Sequence, residues 1–203
     1  MSDRLIIIFT RNPELGKVKT RLAKSIGDAA ALNIYNYLLD HTEKTISQIE
    51  GDKAVYYSEK VRHEDIWKNS RYQKYVQQGN DLGLKMQNAF QSAFNNGYKK
   101  VIILGSDLPD LNPDHIRLAT KKLDQYDVVI GPAQDGGYYL LALKSLPSSI
   151  FKNKAWGTSS VLKDTLNDLQ SHSVFLLEEL NDTDTFEDIR DNDKLKAFIS
   201  SND

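Results

Sequence analysis

The segment Thr10-Arg-Asn-Pro-Glu-Leu-Gly-Lys-Val-Lys-Thr-Arg-Leu22 carries Arg11, Lys17, Lys19 and Arg21, opposed only by Glu14. Arginine forks match phosphate oxygens in pairs, and lysine adds a mobile point charge, so the segment suits a polyphosphate. Gly16 lets the backbone come close to a ligand. A solvated basic loop has the same charge pattern. The position directly after a buried strand favours a ligand, because parallel α/β sheets bind ligands outside the carboxyl ends of their strands. The pattern is not the phosphate loop G-x-x-x-x-G-K-[ST]: the first glycine and the hydroxyl after the lysine are missing. No G-x-G-x-x-G occurs either.

A second constellation is acidic. Gly105-Ser-Asp107-Leu-Pro-Asp110 follows the apolar run Val101–Leu104, which puts Asp107 at the same sheet edge as the basic loop. Magnesium prefers carboxylate oxygens together with substrate phosphates, where it neutralises and orients the group being transferred. The competing reading of Asp107 is a turn-forming aspartate, and Asp110 reads as a cap or turn residue. Farther on, Asn181–Asp188 holds four acids. Asp182 and Asp184 precede a helix and can face one site, whereas Glu187 and Asp188 fall in its first turn, where negative charge suits the helix dipole.

A third segment is Gly131-Pro-Ala-Gln-Asp-Gly-Gly-Tyr-Tyr139. Gly136 and Gly137 allow tight backbone approach, and Asp135 with the tyrosines offers hydrogen bonds and a stacking face for a sugar or similar polar group. Asp-Gly is equally a type I′ hairpin signal. Trp156-Gly-Thr-Ser159 can form a pocket edge, although a lone tryptophan is as well explained by the core.

The elements that must position these residues follow from hydrophobic periodicity. Leu5–Phe9 and Val101–Leu104 are apolar throughout and read as strands buried on both faces. Lys53–Tyr57, Tyr75–Gln77, Asp127–Ile130, Tyr138–Leu143 and Val174–Leu177 are further strand candidates. Apolar residues from Ala31 to Ile49 repeat at three and four, with Gly51 as the stop. A second helix starts at Asn80 or Asp81 and ends at Gly97, a third runs from Asn112-Pro113 to Leu123, and a fourth from Ser159 or Ser160 to Leu169. Thr185 and Asp188 form a capping-box-like start for the last helix. Ser58–Arg71 is polar and poorly patterned, with one helical turn at Ile66-Trp67. The alternation predicts a three-layer α/β/α sandwich with a mostly parallel sheet, with an antiparallel excursion around Gly131–Gly137.

Bulk properties narrow the classes. The 203 residues fit a single domain spanning 1–203. The absence of cysteine excludes disulfides, thiolate nucleophiles and iron–sulfur clusters. A net charge of -2 argues against a broadly basic nucleic-acid binder. No apolar run approaches the ~20 residues that span a bilayer, and Met1–Arg4 lacks the pattern of a secretory signal, so a cytoplasmic location is expected.

Together, the strand leading into Arg11-Asn-Pro13, Gly16-Lys17-Val-Lys19-Thr-Arg21-Leu, Gly105-Ser-Asp107-Leu-Pro-Asp110, Gly131–Tyr139, Trp156-Gly-Thr-Ser159 and Asp182–Asp188 resemble a known family. They look like the bacterial glycosyltransferase-like family called radical-SAM/selenodomain-associated transferase 1, within the nucleotide-diphospho-sugar transferase superfamily. The chain departs from that family at Arg11, where lysine is usual, and at Phe186, where proline is usual. More distant relatives of the family include phospholactate guanylyltransferase and molybdenum-cofactor guanylyltransferase.

The resemblance implies a GT-A fold and a basic loop on nucleotide phosphates. It implies a Mg2+ or Mn2+ ion on Asp107, completed by Asp184 and Asp182, and an acceptor-facing loop at Asp135-Gly136-Gly137 with Tyr138 and Trp156 beside it. Asp107, Lys19 and Asp135 are then the catalytic candidates. The leading expectation is glycosyl transfer from a nucleotide sugar to a small-molecule acceptor. Nucleotidyl transfer from a nucleoside triphosphate is the alternative, and a non-catalytic nucleotide-binding module is a third. Neither nucleic acid nor a membrane span is expected as a partner. The oligomeric state is open, with a homodimer as one arrangement.

Overall fold

The computed structural model describes residues 2–199; Met1, part of the segment read for a secretory signal, lies outside them. The first strand, β1 (Arg4–Thr10), pairs in parallel with β2 (Asp52–Tyr57) on one side and β4 (Lys100–Leu104) on the other. Strand β3 (Gln73–Val76) extends the parallel part beyond β2. Past β4 comes β6 (Tyr138–Leu143), antiparallel to both β4 and β5 (Val128–Pro132). Strand β7 (Val174–Leu176) closes the far edge, parallel to β5. The order is β3-β2-β1-β4-β6-β5-β7, a mostly parallel seven-stranded sheet among the described residues.

Both faces of the sheet are covered, which explains the unbroken apolar strands. Successive side chains of a strand point to opposite faces, and β1 divides accordingly. Ile6 and Ile8 enter one core with Tyr35, Leu39 and Ile46 of α2 (Asp28–Ile46) and Ile116 and Ala119 of α4 (Pro113–Lys122). Leu5 and Ile7 enter the other, with Met86, Ala89, Phe90 and Ala93 of α3 (Leu82–Asn95) and the partly buried Leu162 and Leu166 of α5 (Val161–Asp168). This is the expected α/β/α sandwich. Helix α3 starts where its cap requires: the Asp81 side chain accepts from the Leu84 N–H at 2.7 Å.

Several boundaries differ from the sequence reading. The basic segment is not loop throughout: α1 (Thr20–Ile26) begins inside it and carries Arg21. Leu22 explains why, since it is fully buried with Ile34 and Leu38 of α2, Ile189 of α6 (Phe186–Ile189) and Leu195 of α7 (Asp193–Lys196). A seven-residue helix is marginal alone, so tertiary packing decides it. Helix α2 ends at Ile46, ahead of Gly51. Ile66-Trp67 forms bends rather than a helical turn. There Asp65 takes over: it accepts from Tyr57 Oη at 2.5 Å, Lys74 Nζ at 2.7 Å and the Trp67 N–H at 3.0 Å, while Trp67 packs edge-on against Tyr72. Helix α7 and a short 3-10 helix at Ser148–Phe151 have no counterpart in the sequence reading.

The hairpin between β5 and β6 is also not of type I′, because Asp135 keeps a negative φ and only Gly136 turns left-handed, at 86°. The Gly136 N–H donates to Ala133 O at 3.0 Å and the Ala133 N–H donates to Gly137 O at 3.1 Å. That is a three-residue loop with its glycine in the bulge position. A Cβ on Gly136 would meet the Ser159 carbonyl at 2.3 Å, so glycine is required there by space as well as by φ.

Candidate functional site

Strands β1 and β4 are neighbours, and both release their chains at the same edge. Three buried hydroxyls tie those ends together. The Tyr35 hydroxyl on α2 lies 3.0 Å from Thr10 Oγ1 and 3.5 Å from Ser106 Oγ, and it accepts from the Arg11 N–H at 2.9 Å. Buried Asn12 locks the basic segment to the chain after β2: its Nδ2 donates to Lys60 O at 2.8 Å, and its Oδ1 accepts from the Glu59 N–H at 3.0 Å. The basic segment is thereby held rigidly over the sheet edge.

Lys19 takes a left-handed conformation, φ 49° and ψ 41°, at the N-terminus of α1. Such a conformation costs a side-chain-bearing residue about 1–2 kcal/mol, and here it turns the ammonium into the fold. The Lys19 side chain is only 4% exposed, and its Nζ donates to Asp107 Oδ2 at 2.7 Å and Asp184 Oδ1 at 3.0 Å. Burial alone pushes this ammonium down, but Asp107 and Asp184 outweigh it and hold the group above its ordinary range. Lys19 therefore stays charged. Arg21, on the exposed side of α1, also pairs with Asp184.

Asp107, Asp182 and Asp184 each offer a carboxylate oxygen, and the three lie within 4.8 Å of one another. A backbone bond from the Thr183 N–H to Asp107 O, 3.2 Å, splices the late segment onto the β4 loop. Asp184 is aimed by the first turn of α6, where Asp188 accepts from the Asp184 N–H at 2.9 Å and the Thr185 N–H at 2.6 Å. Gly105 leaves room for this, since a Cβ there would come within 3.1 Å of Asp107 Oδ1. Burial, then the charges of Asp107 and Asp184, raise the Asp182 carboxyl to about 6. Three converging carboxylates with one already raised fit a hard divalent cation, whose oxygen-ligand preference matches the donor set. The Lys19 ammonium places a positive charge between Asp107 and Asp184.

Two cavities open from this acidic centre. The larger, about 510 Å³, is lined by Arg11, Lys19, Arg21, Lys85, Asp107 and Asp184, with Phe9, Leu82 and Gln77 on its walls. The smaller, about 210 Å³, shares Phe9, Leu82, Gly105 and Asp107 with it and adds Asp182, Asp135, Gly137, Tyr138 and Trp156. Most of the residues singled out from the sequence thus meet around one centre. Three do not line either cavity. Lys17 turns outward onto Glu14, at 2.7 Å. Gly16 holds the turn before it, at φ 73°. Gly136 is taken up by contact with Ser159. Asp135 is exposed and its Oδ1 accepts from the Gly137 N–H at 2.8 Å, a local turn contact.

Sequence reasoning missed Lys85, Gln77, Tyr35 and Ser106. Lys85 stands on α3, whose apolar stripe drew the reading to its opposite side. Gln77 follows the short strand β3, where nothing in a single sequence marks it as a wall of the site.

The chain and its fold are similar to known proteins. The chain is 29% identical over 143 residues to 2-phospho-L-lactate guanylyltransferase of Methanocaldococcus jannaschii, a match covering 70% of this chain and 61% of that enzyme. A crystal structure from Desulfovibrio desulfuricans G20, assigned by name as a nucleotide-diphospho-sugar transferase, superposes with a TM-score of 0.86 at 29% identity, covering 100% of this chain and 96% of the other. The fold is also that of 4-diphosphocytidyl-2C-methyl-D-erythritol synthase from Anaerococcus prevotii DSM 20548, with a TM-score of 0.60 at 14% identity and coverage of 97% and 96%. The relatives with named reactions are transferases. No described helix is long and apolar enough to cross a membrane. The family model for an uncharacterized protein conserved in bacteria (DUF2064) matches residues 41–158, more than half of the chain, and the chain belongs to that family.

Proposed function

We propose that this chain, acting as one domain, is a metal-dependent nucleotidyltransferase that joins a nucleoside monophosphate to a phosphorylated small-molecule acceptor. The observation that carries the reading is the meeting of a buried, charged Lys19 with the Asp107–Asp182–Asp184 cluster between two cavities. The larger cavity takes the triphosphate, with Lys19, Arg21, Arg11 and Lys85 on its oxygens. The smaller takes the acceptor, against Tyr138 and Trp156. Similarity to a guanylyltransferase supports this choice over glycosyl transfer.

In the reaction, an acceptor phosphate oxygen attacks the α-phosphorus and forms a new P–O bond. The bond from the α-phosphorus to the oxygen bridging to the β-phosphate breaks, and pyrophosphate leaves. Lys19 and Arg21 stabilise the charge that accumulates on the leaving oxygens. A phosphate monoester is largely dianionic at pH 7, with a second pKa of ~6, so the nucleophile needs no general base. That removes any proton-abstracting role for Asp135, whose carboxylate faces solvent and its own turn. A divalent cation bound by Asp107, Asp182 and Asp184 supplies charge neutralisation and orientation of phosphate oxygens.

The test is to supply each nucleoside triphosphate with Mg2+ or Mn2+ and a panel of phosphorylated acceptors, and in parallel each nucleotide sugar with the same panel. Pyrophosphate release dependent on acceptor supports the proposal. Release of nucleoside diphosphate from a nucleotide sugar, with no pyrophosphate from any triphosphate, refutes it in favour of glycosyl transfer.

A further inference from the structure

Gln77 lies just past β3, and its side chain crosses over the sheet edge. Its main-chain N–H donates to Tyr57 O at 2.9 Å. Its Nε2 donates to Thr10 O at 3.2 Å and to Tyr56 O at 3.0 Å. A carboxamide has two N–H donors and one oxygen. Both donors are committed to main-chain carbonyls, so the orientation of the amide is set: exchanging its ends would press oxygen against two oxygens. The Oε1 is thus an acceptor fixed in direction. It makes no hydrogen bond among the described residues, and Gln77 forms part of the wall of the larger cavity.

The location of Gln77 opposes that of the acidic centre. Asp107 follows β4, on one side of β1, whereas Gln77 follows β3 and bridges the ends of β2 and β1 on the other. Phosphates held at Lys19 and Arg21 would direct the rest of a nucleotide toward Gln77, with Phe9 and Leu82 as apolar walls for a flat ring. A carbonyl oxygen with two unused lone pairs is best satisfied by two adjacent N–H donors. Among the common bases, guanine offers such a pair, at N1 and the 2-amino group. Adenine and cytosine offer one amino group beside a ring acceptor, and uracil offers one N–H between two carbonyls.

We propose that Gln77 reads the base in this cavity and that its fixed Oε1 selects guanine through N1–H and the 2-amino group. The inference rests on the nucleotide reading above and adds the identity of the base. A mismatched polar pair in a site built for hydrogen bonding should lose roughly tenfold to hundredfold in affinity, which is about 1.4–2.8 kcal/mol.

The test is calorimetric titration of the wild-type protein with Mn2+ and each of GTP, 7-deaza-GTP, ITP, ATP, CTP and UTP. GTP and 7-deaza-GTP, which share N1–H and the 2-amino group, are expected to bind alike, and ITP, which lacks the 2-amino group, at least tenfold more weakly. ITP binding as tightly as GTP, or a preference for another base, overturns the role of Gln77 while leaving the nucleotide reading intact. Failure of every nucleotide to bind overturns both. The variant Gln77→Met, with its fold checked by circular dichroism, should bring the GTP-to-ITP ratio close to one by weakening GTP more than ITP, which has only N1–H to lose. An unchanged ratio in the folded variant overturns the proposal, and should that variant not fold, the wild-type titrations decide it.

Discussion

Lys19 Nζ lies 2.7 Å from Asp107 Oδ2, although the two residues are 88 positions apart in the chain. The contact joins the two constellations that the chain presents separately, one basic and one acidic, at the ends of adjacent strands β1 and β4. Asp184 completes it from near the C-terminal end, 3.0 Å from the same ammonium. In the proposed reaction this buried cation and its carboxylates would exchange partners: phosphates for Lys19, and a divalent cation for the carboxylates.

Asp107→Asn keeps the volume and removes one charged ligand. Turnover should fall by roughly 100-fold or more, the scale for losing an electrostatic contact to the transition state. Thermal stability should change little, because Lys19 retains Asp184. Acceptor-dependent pyrophosphate release and a melting curve measure both, and normal turnover in the folded variant would remove Asp107 from the site.

Lys19→Met strips the charge from a side chain that is 4% exposed and leaves its carboxylates without their buried cation. The metal-free variant should lose on the order of 2 kcal/mol, a buried-pair cost reduced because the carboxylates are partly solvated. Mn2+ should raise the melting temperature of this variant more than that of the parent, since the ion replaces the missing charge. Equal Mn2+ shifts in the two proteins would contradict a shared cation role.

Asp182 has a folded-state pKa of about 6 against an ordinary value of 3.8, raised by burial and then by Asp107 and Asp184. A raised carboxyl favours folding fully below its unfolded pKa and loses that contribution as pH climbs through the folded one. Above pH 6, the charged Asp182 therefore opposes the metal-free fold. Asp182→Asn should melt higher than the parent at pH 8 in the presence of chelator, by about 1 kcal/mol after allowance for solvent screening. The advantage should vanish near pH 4, and with Mn2+ at pH 8 the order should reverse. A variant no more stable than the parent at pH 8 in chelator argues against the strained charge.

Gly83 lies on α3 against Trp156, a wall of the smaller cavity, where a Cβ would approach the Trp156 ring at 2.5 Å and the Phe151 carbonyl at 2.6 Å. Gly83→Ala must push Trp156 aside. Overpacking of this kind costs about 1–3 kcal/mol. The acceptor KM should rise while the nucleotide KM holds, because the larger cavity does not include Trp156. A parallel rise in both constants would deny the division between the two cavities.

The sheet was legible because buried parallel strands need apolar side chains on both faces, and Ile6-Ile7-Ile8 and Val101–Leu104 state that need directly. Helix α1 was not, since Leu22 is drawn into a helix by Ile34, Ile189 and Leu195, contacts that no local window contains. The hairpin at Asp135-Gly136 was legible as a hairpin, but its turn type lies in the loop length that the bonds between Ala133 and residues 136 and 137 set.

By itself the chain determined which charges exist and at which strand ends they emerge, because the strands are written in runs of side-chain hydrophobicity. Arg11, Lys19, Arg21, Asp107, Asp182 and Asp184 were all recognisable as candidates on that basis. Only the tertiary structure decided which of them meet. A left-handed turn buries Lys19 between two carboxylates while Lys17, two residues earlier, points outward to Glu14. It likewise decided that Gln77 should present an oxygen, since that depends on two main-chain carbonyls brought there by β1 and β2. Local patterning sets what a residue offers; long-range packing sets the partner and direction of each offered group.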